Sequence, residues 1–209
     1  MLLASLTPMG GRGWRLATVV VLACAAPMAA CSSSDGPPSA TSSSTAQPTT
    51  DEAVKALIQV PPDRLGLVED ARSSGPLHDT LLIVDASGHP AMAVPEPGWS
   101  DVWDSPANKM GMTVAQNLGI YPEDQAAGVV DAMIQRVRDQ DPTATLLDAG
   151  DLPDGRAYRD RYTVSVIYRV GPIIGYTAVS SLKADASSSA EDRLALAMEL
   201  AHAQIDKLH

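Results

Sequence analysis

The sequence predicts an α+β domain in which an antiparallel β-sheet has helices packed against it. Three observations carry this expectation. Residues 162–170 alternate Tyr162, Val164, Val166, Tyr168 and Val170 with Thr163, Ser165, Ile167 and Arg169, the period of two expected of a strand with one buried face. Gly171-Pro172 then supplies a two-residue turn, and residues 173–182 return as the partner strand. The order helix, strands, helix, long hairpin, helix segregates the two kinds of element, as in an antiparallel sheet carrying helices.

Taken in order, Thr49 and Glu52 have the spacing of a capping box, and Val54, Leu57 and Ile58 form a helical stripe that Pro61-Pro62 ends. Residues 65–68 fit no single element, and Ser73-Ser74-Gly75-Pro76 marks a loop. Residues 81–84 and 91–94 read as two short strands, with the polar residues 85–89 as their turn. Pro95 and Pro97 argue against a central strand over 95–99. A further strand is expected over 108–117, where Met110, Met112 and Val114 alternate. Pro122 suits the first position of a helix, Glu123 and Asp124 its first turn. Val129, Val130, Met133, Ile134 and Val137 make its apolar face, and Pro142 stops it. Residues 148–154 form a polar loop. Ser188 and Glu191 suggest a second capping box before a closing helix that carries Leu194, Met198, Ala201, Ile205 and Leu208.

The first thirty residues have a different character. Arg12 and Arg15 precede an apolar run over 16–26, Pro27 breaks it, and Met28-Ala29-Ala30-Cys31 follows. That is the layout of a secretory signal peptide, and the run is shorter than the roughly 18–20 residues a spanning helix needs. The cysteine after small residues resembles the bacterial lipobox, with Met28 where leucine is usual. The resemblance implies cleavage after Ala30, and a diacylglycerol thioether and an acyl chain on Cys31. Residues 32–50, SSSDGPPSATSSSTAQPTT, have almost no apolar side chains and read as a disordered tether with a typical reach on the order of 25 Å. The expected organisation is therefore a signal peptide over 1–30, the lipidated cysteine and tether over 31–49, and one globular domain over 50–209.

Composition narrows the function. Once Arg12 and Arg15 leave with the signal, 13 basic side chains face 25 acidic ones, a net charge of −12. Such a surface argues against nucleic acid, whose phosphates require Lys and Arg, and against adsorption to anionic headgroups through charge. Membrane attachment would rest on the lipid at Cys31. Cys24 and Cys31 are the two cysteines, so after processing no disulfide can form within the domain and no thiol nucleophile remains.

The segments DEAVKALI, MAVPEPGWSDVW and YTVSVIYRVGPIIGYTAVSS, in this order around a central helix, resemble the PsbP-like actinobacterial (mycobacterial) lipoproteins of the LpqN type. Pro97-Gly98-Trp99 is the most distinctive wording. The resemblance implies an α/β/α sandwich and a non-enzymatic envelope lipoprotein that assists lipid or cell-wall assembly, and it transfers no catalytic residues.

Candidate chemistry is sparse. Asp85, Ser87 and His89 have the types of a catalytic triad, but triad members converge from separate elements and these share one turn. Asp148, Asp151 and Asp154 recur every third residue, whereas a calcium loop needs alternate positions and a distal glutamate. No metal and no cofactor are expected. Trp99 and Trp103 suit either a sugar or lipid groove or core packing in a chain without phenylalanine. Arg156, Arg159 and Arg161 are a local basic cluster that suits an anionic headgroup or an acidic partner, or else pairs with Asp148, Asp151, Asp154 and Asp160. The expected function is a non-catalytic binding or accessory domain with an envelope lipid, glycan or protein partner; the alternative is an envelope hydrolase with an unrecognised site.

Overall fold

The computed structural model describes residues 47–106, 111–181 and 189–209. The expectations for Ala30, Cys31, Asn108, Met110, Leu182 and Ser188 fall outside the described residues.

The chain folds as α+β. Helix α1 is Asp51–Leu57, followed by the short strands β1 (Val68–Glu69) and β2 (Gly75–Pro76). Strands β3 (Leu81–Val84) and β4 (Pro90–Ala93) form a separate hairpin. Then come β5 (Gly98–Asp104), β6 (Met112–Ile120), α2 (Glu123–Gln140), β7 (Thr145–Leu147), β8 (Arg156–Arg159), β9 (Thr163–Val170), β10 (Ile173–Ser181) and α3 (Ala190–Leu208). The eight-stranded main sheet runs β1-β5-β6-β10-β9-β8-β7, with β2 also paired to β5. Every pairing in it is antiparallel.

The long hairpin turns where the alternation predicts. Val170 pairs with Ile173 across Gly171-Pro172, and Gly171 takes φ 59°, a left-handed conformation that costs glycine little. Further along, Gly175 faces Tyr168, whose ring fills the space a Cβ would need. The expectation of one buried face was too narrow for β9. Ser165 and Ile167 are as fully buried as Val164 and Val166, because the strand is central and both sides of the sheet are covered.

On one side α1 and α3 supply Val54, Ile58, Ala197, Leu200 and Ala201, packed over Trp103, Val114, Leu118, Val166, Tyr168 and Val179. On the other, Val129, Val130 and Ile134 of α2 join Leu81, Ile83 and Ala93 of the β3–β4 hairpin over Tyr158, Ile167 and Ile174. The domain thus has three layers. Each fully buried Val, Leu or Ile contributes about 1.5–3 kcal/mol relative to exposure.

All three helix starts move by one residue: α2 begins at Glu123, with Pro122 as its N-cap rather than its first residue. The cap of α1 is Thr50, whose hydroxyl accepts from the Ala53 N–H at 3.1 Å, rather than Thr49. The cap of α3 is Ser189 in a reciprocal box with Asp192, rather than Ser188 with Glu191. A run of two threonines or three serines offers more than one cap, and the last is used in both. Two strands lie where the sequence pattern marks none. Gly98–Asp104 begins directly after Pro97 and lies between β6 and the β1 and β2 segments, so the prolines delay the strand without preventing it. Arg156–Arg159 is β8, paired to both β7 and β9.

Candidate functional site

The register places one end of the sheet at Gly98 in β5, Ile120 in β6 and Val170–Ile173 in the β9–β10 turn, since Gly98 pairs with Gly119 and Ile120 with Ile173. The chain reaches this end through Gln47 and Pro48 before entering α1. Asp51 then ties α1 to β5 by accepting from the Gly98 N–H at 3.0 Å.

Three concavities meet at Gln47. An apolar groove of about 500 Å³ lies between Ala53 and Leu57 of α1, Val170, Pro172 and Ile173 at the hairpin turn, and Leu208 of α3. Lys207 also borders it, with its ammonium donating to the Ile58 carbonyl at 2.9 Å. A wider cleft of about 780 Å³ lies between Thr50, Glu52, Pro95 and Glu96, with His78 on its wall. A third hollow of about 400 Å³ is lined by Met92, Val94, Ile120, Tyr121 and Pro122. Burial of the Tyr121 phenol there pushes its pKa up to about 12. The first groove has the size and apolar lining typical of small-ligand sites.

The residues singled out from the sequence do not converge. Trp103 is 5 % exposed and belongs to the core. Trp99 is half-buried, donates its indole N–H to the buried Asp101 carboxylate at 2.6 Å, and carries the Lys55 ammonium 4.8 Å from its ring. Both tryptophans are on the α1 and α3 side of β5, two steps of two apart, so the spacing that suggested an aromatic surface is that of one buried strand face. Arg156 and Arg159 are three apart on β8 and therefore point to opposite sides of the sheet. Arg156 lies 3.8 Å from Asp131 of α2, and the Arg161 guanidinium is 5.0 Å from the Tyr162 ring.

The nearby aspartates are engaged elsewhere. Asp154 binds Arg169, Asp151 lies 3.3 Å from His202, Asp148 accepts from the Gly150 N–H, and Asp160 from the N–H groups of Tyr162 and Thr163. Asp85 accepts from the N–H groups of Ser87 and His89 at 2.8 and 3.0 Å, so this trio builds a hairpin turn. Among the described residues no group of three His, Cys, Asp or Glu is placed to hold a metal ion, and no helix is long and apolar enough to cross a membrane.

No family model, curated protein or solved structure matches the chain. The apolar groove was not singled out from the sequence. Leu57, Ile173 and Leu208 are legible there as apolar positions of a helix, a strand and a helix, but their meeting is a product of the fold.

Proposed function

We propose that this chain is a cell-envelope lipoprotein, held on the extracytoplasmic side of a membrane by lipid on Cys31, whose folded domain binds a ligand or partner and performs no catalysis. The observation that carries the binding half is the groove of about 500 Å³ between α1, the β9–β10 turn and the end of α3. Its walls are mainly aliphatic, with Gln47 at one edge, and the charged group at its rim, Lys207, donates to a backbone carbonyl. Such a site rewards an apolar ligand and offers neither nucleophile nor general base. An acyl chain or other apolar part of an envelope lipid fits that chemistry better than a glycan, which needs convergent hydrogen-bond donors and acceptors.

Native mass spectrometry of the Cys31→Ala protein, exported from a bacterial host, tests the groove. A reproducible co-purifying lipid that is lost on Ile173→Asp supports the assignment. A bare mass for the parent protein, obtained repeatedly, removes it and favours a protein partner. Palmitate labelling tests the anchor: label on the wild type and its absence from Cys31→Ala are expected.

A further inference from the structure

The β3–β4 hairpin has two faces of unusual character. Its inner row, Leu81, Ile83 and Ala93, is buried against α2. The backbone sits so close that a Cβ on Gly128 of α2 would fall 2.8 Å from the Val84 carbonyl oxygen. The outer row should be polar, as in most half-solvated antiparallel ribbons. It is not. Leu82 is 68 % exposed, Val84 62 % and Met92 60 %. Leu82 pairs with Met92 and Val84 with the exposed Pro90, so all four stand together on one surface. Past Met92 the surface turns mixed: the adjoining hollow is lined by Val94, Tyr121 and Pro122 together with Gln47, Glu96 and Gln125, so the apolar patch ends at the hairpin.

We infer that this hairpin face docks on a lipid bilayer, inserting Leu82, Val84, Pro90 and Met92 at the boundary between headgroups and acyl chains. The inference rests on the reading that Cys31 carries lipid. Residues 32–46 join Cys31 to Gln47 and span at most about 50 Å when fully extended. They therefore hold the patch within constant reach of the membrane. At the high effective concentration that such a link creates, a contact of a few side chains is enough. Those residues are Ser, Thr, Pro, Gly, Ala and Asp, with no large apolar side chain to cover the patch themselves.

Charge decides how the contact is made. The carboxylates of the hairpin and its approach are engaged: Asp79, ahead of β3, binds Arg136 at 2.8 Å and Asp85 holds the hairpin's own turn. The four outward positions carry no charge. Docking is therefore apolar and insensitive to salt, while the acidic remainder of the domain is held off anionic headgroups, which orients the molecule.

The test uses the full lipidated protein with Leu82→Cys or Met92→Cys, each labelled with a polarity-sensitive fluorophore, and Glu199→Cys on α3 as the reference position. The acylated Cys31 does not react with the label. In phosphatidylcholine vesicles bearing a nitroxide on the acyl chain, quenching at 82 and 92 is expected to exceed that at 199 several-fold, and to persist at high salt. Equal quenching at all three positions overturns the docking. So does shielding of position 82 that needs no vesicles and grows with protein concentration, which would assign the face to a second copy of the chain. The mass of the N-terminal peptide separates the two premises. Lipid present with equal quenching sinks the docking alone, and lipid absent sinks the anchor together with the docking built on it.

Discussion

The side-chain amide of Gln204 accepts the backbone N–H of Gln59 at 2.7 Å and donates to the Leu57 carbonyl at 2.7 Å, joining the last helix to the chain that leaves the first. Gln116 of β6 donates to the Gln59 carbonyl, and Lys207 to that of Ile58. Helix α1 is only seven residues long, too short to be stable by itself. Its last carbonyl, that of Leu57, and the carbonyls of the next two residues accept from side chains of α3 and the sheet, so its position is set by elements far away in sequence.

Gln204→Leu keeps the bulk and removes both bonds. It leaves a part-buried donor and acceptor without these partners, and the expected loss is about 1–3 kcal/mol. Urea unfolding should show a lower midpoint with an unchanged slope.

Gly175→Ala places a methyl where the Tyr168 ring now lies. Tyr168 is fully buried, with little room to move, so overpacking should cost roughly 1–3 kcal/mol. The combination Gly175→Ala with Tyr168→Leu should be less damaging than the sum of the two single changes, a coupling that a double-mutant cycle measures.

The core packing of Trp103 and the cation over Trp99 should separate in a stability assay. Trp103→Ala empties a core position and should cost about 3–5 kcal/mol. Lys55→Ala removes the cation over Trp99 and an exposed partner of Glu69 at 3.6 Å, and should cost at most about 1 kcal/mol. Thermal melts of the two variants against wild type would show this order, and similar small shifts for both would contradict the placement of Trp103 in the core.

Tyr121 gives the domain an alkaline limit. Its phenol pKa is raised by burial, and secondarily by the Asp79 carboxylate, to about 12, above the value near 10 of an unfolded chain. Burial pushes the phenols of Tyr168 and Tyr176 upward as well. Below pH ~10 both states keep these protons and the stability is intact; above it the unfolded chain releases them first. Stability should therefore fall as pH rises from about 10 through 12, with phenolate absorbance appearing together with loss of the fold. Tyr121→Phe should lose less stability across this range than wild type does.

How much of this was legible depends on how each signal is carried. The strand signal over 162–170 and the turn at Gly171-Pro172 are local, and although β9 is buried on both faces, both elements appear in place. So does the apolar face of α2, with Val129, Val130 and Ile134 buried. Strand β5 was hidden because Pro95 and Pro97 dominate its approach, although the backbone from Gly98 to Asp104 pairs without a break with β6, from Gly119 to Thr113. Strand β8 was hidden because Arg156 and Arg159 mark it as polar, although the residues between them, Ala157 and Tyr158, are buried on opposite sides.

The sequence by itself determined the α+β class, the principal hairpin, the long helices and the acidic balance, because periodicity, turn chemistry and charge are properties of neighbouring residues. Only the tertiary structure decided that Trp103 is core, that Arg156 and Arg159 face away from each other, and that Leu57, Ile173 and Leu208 share one groove. The outer face of β3–β4 belongs with these. Leu81-Leu82-Ile83-Val84 reads as a uniformly apolar run, and which two of its four side chains face solvent is set by how the hairpin lies on α2. Contacts between residues more than a hundred positions apart arise from how sheet and helices pack together, and a linear pattern carries no record of which apolar positions will meet.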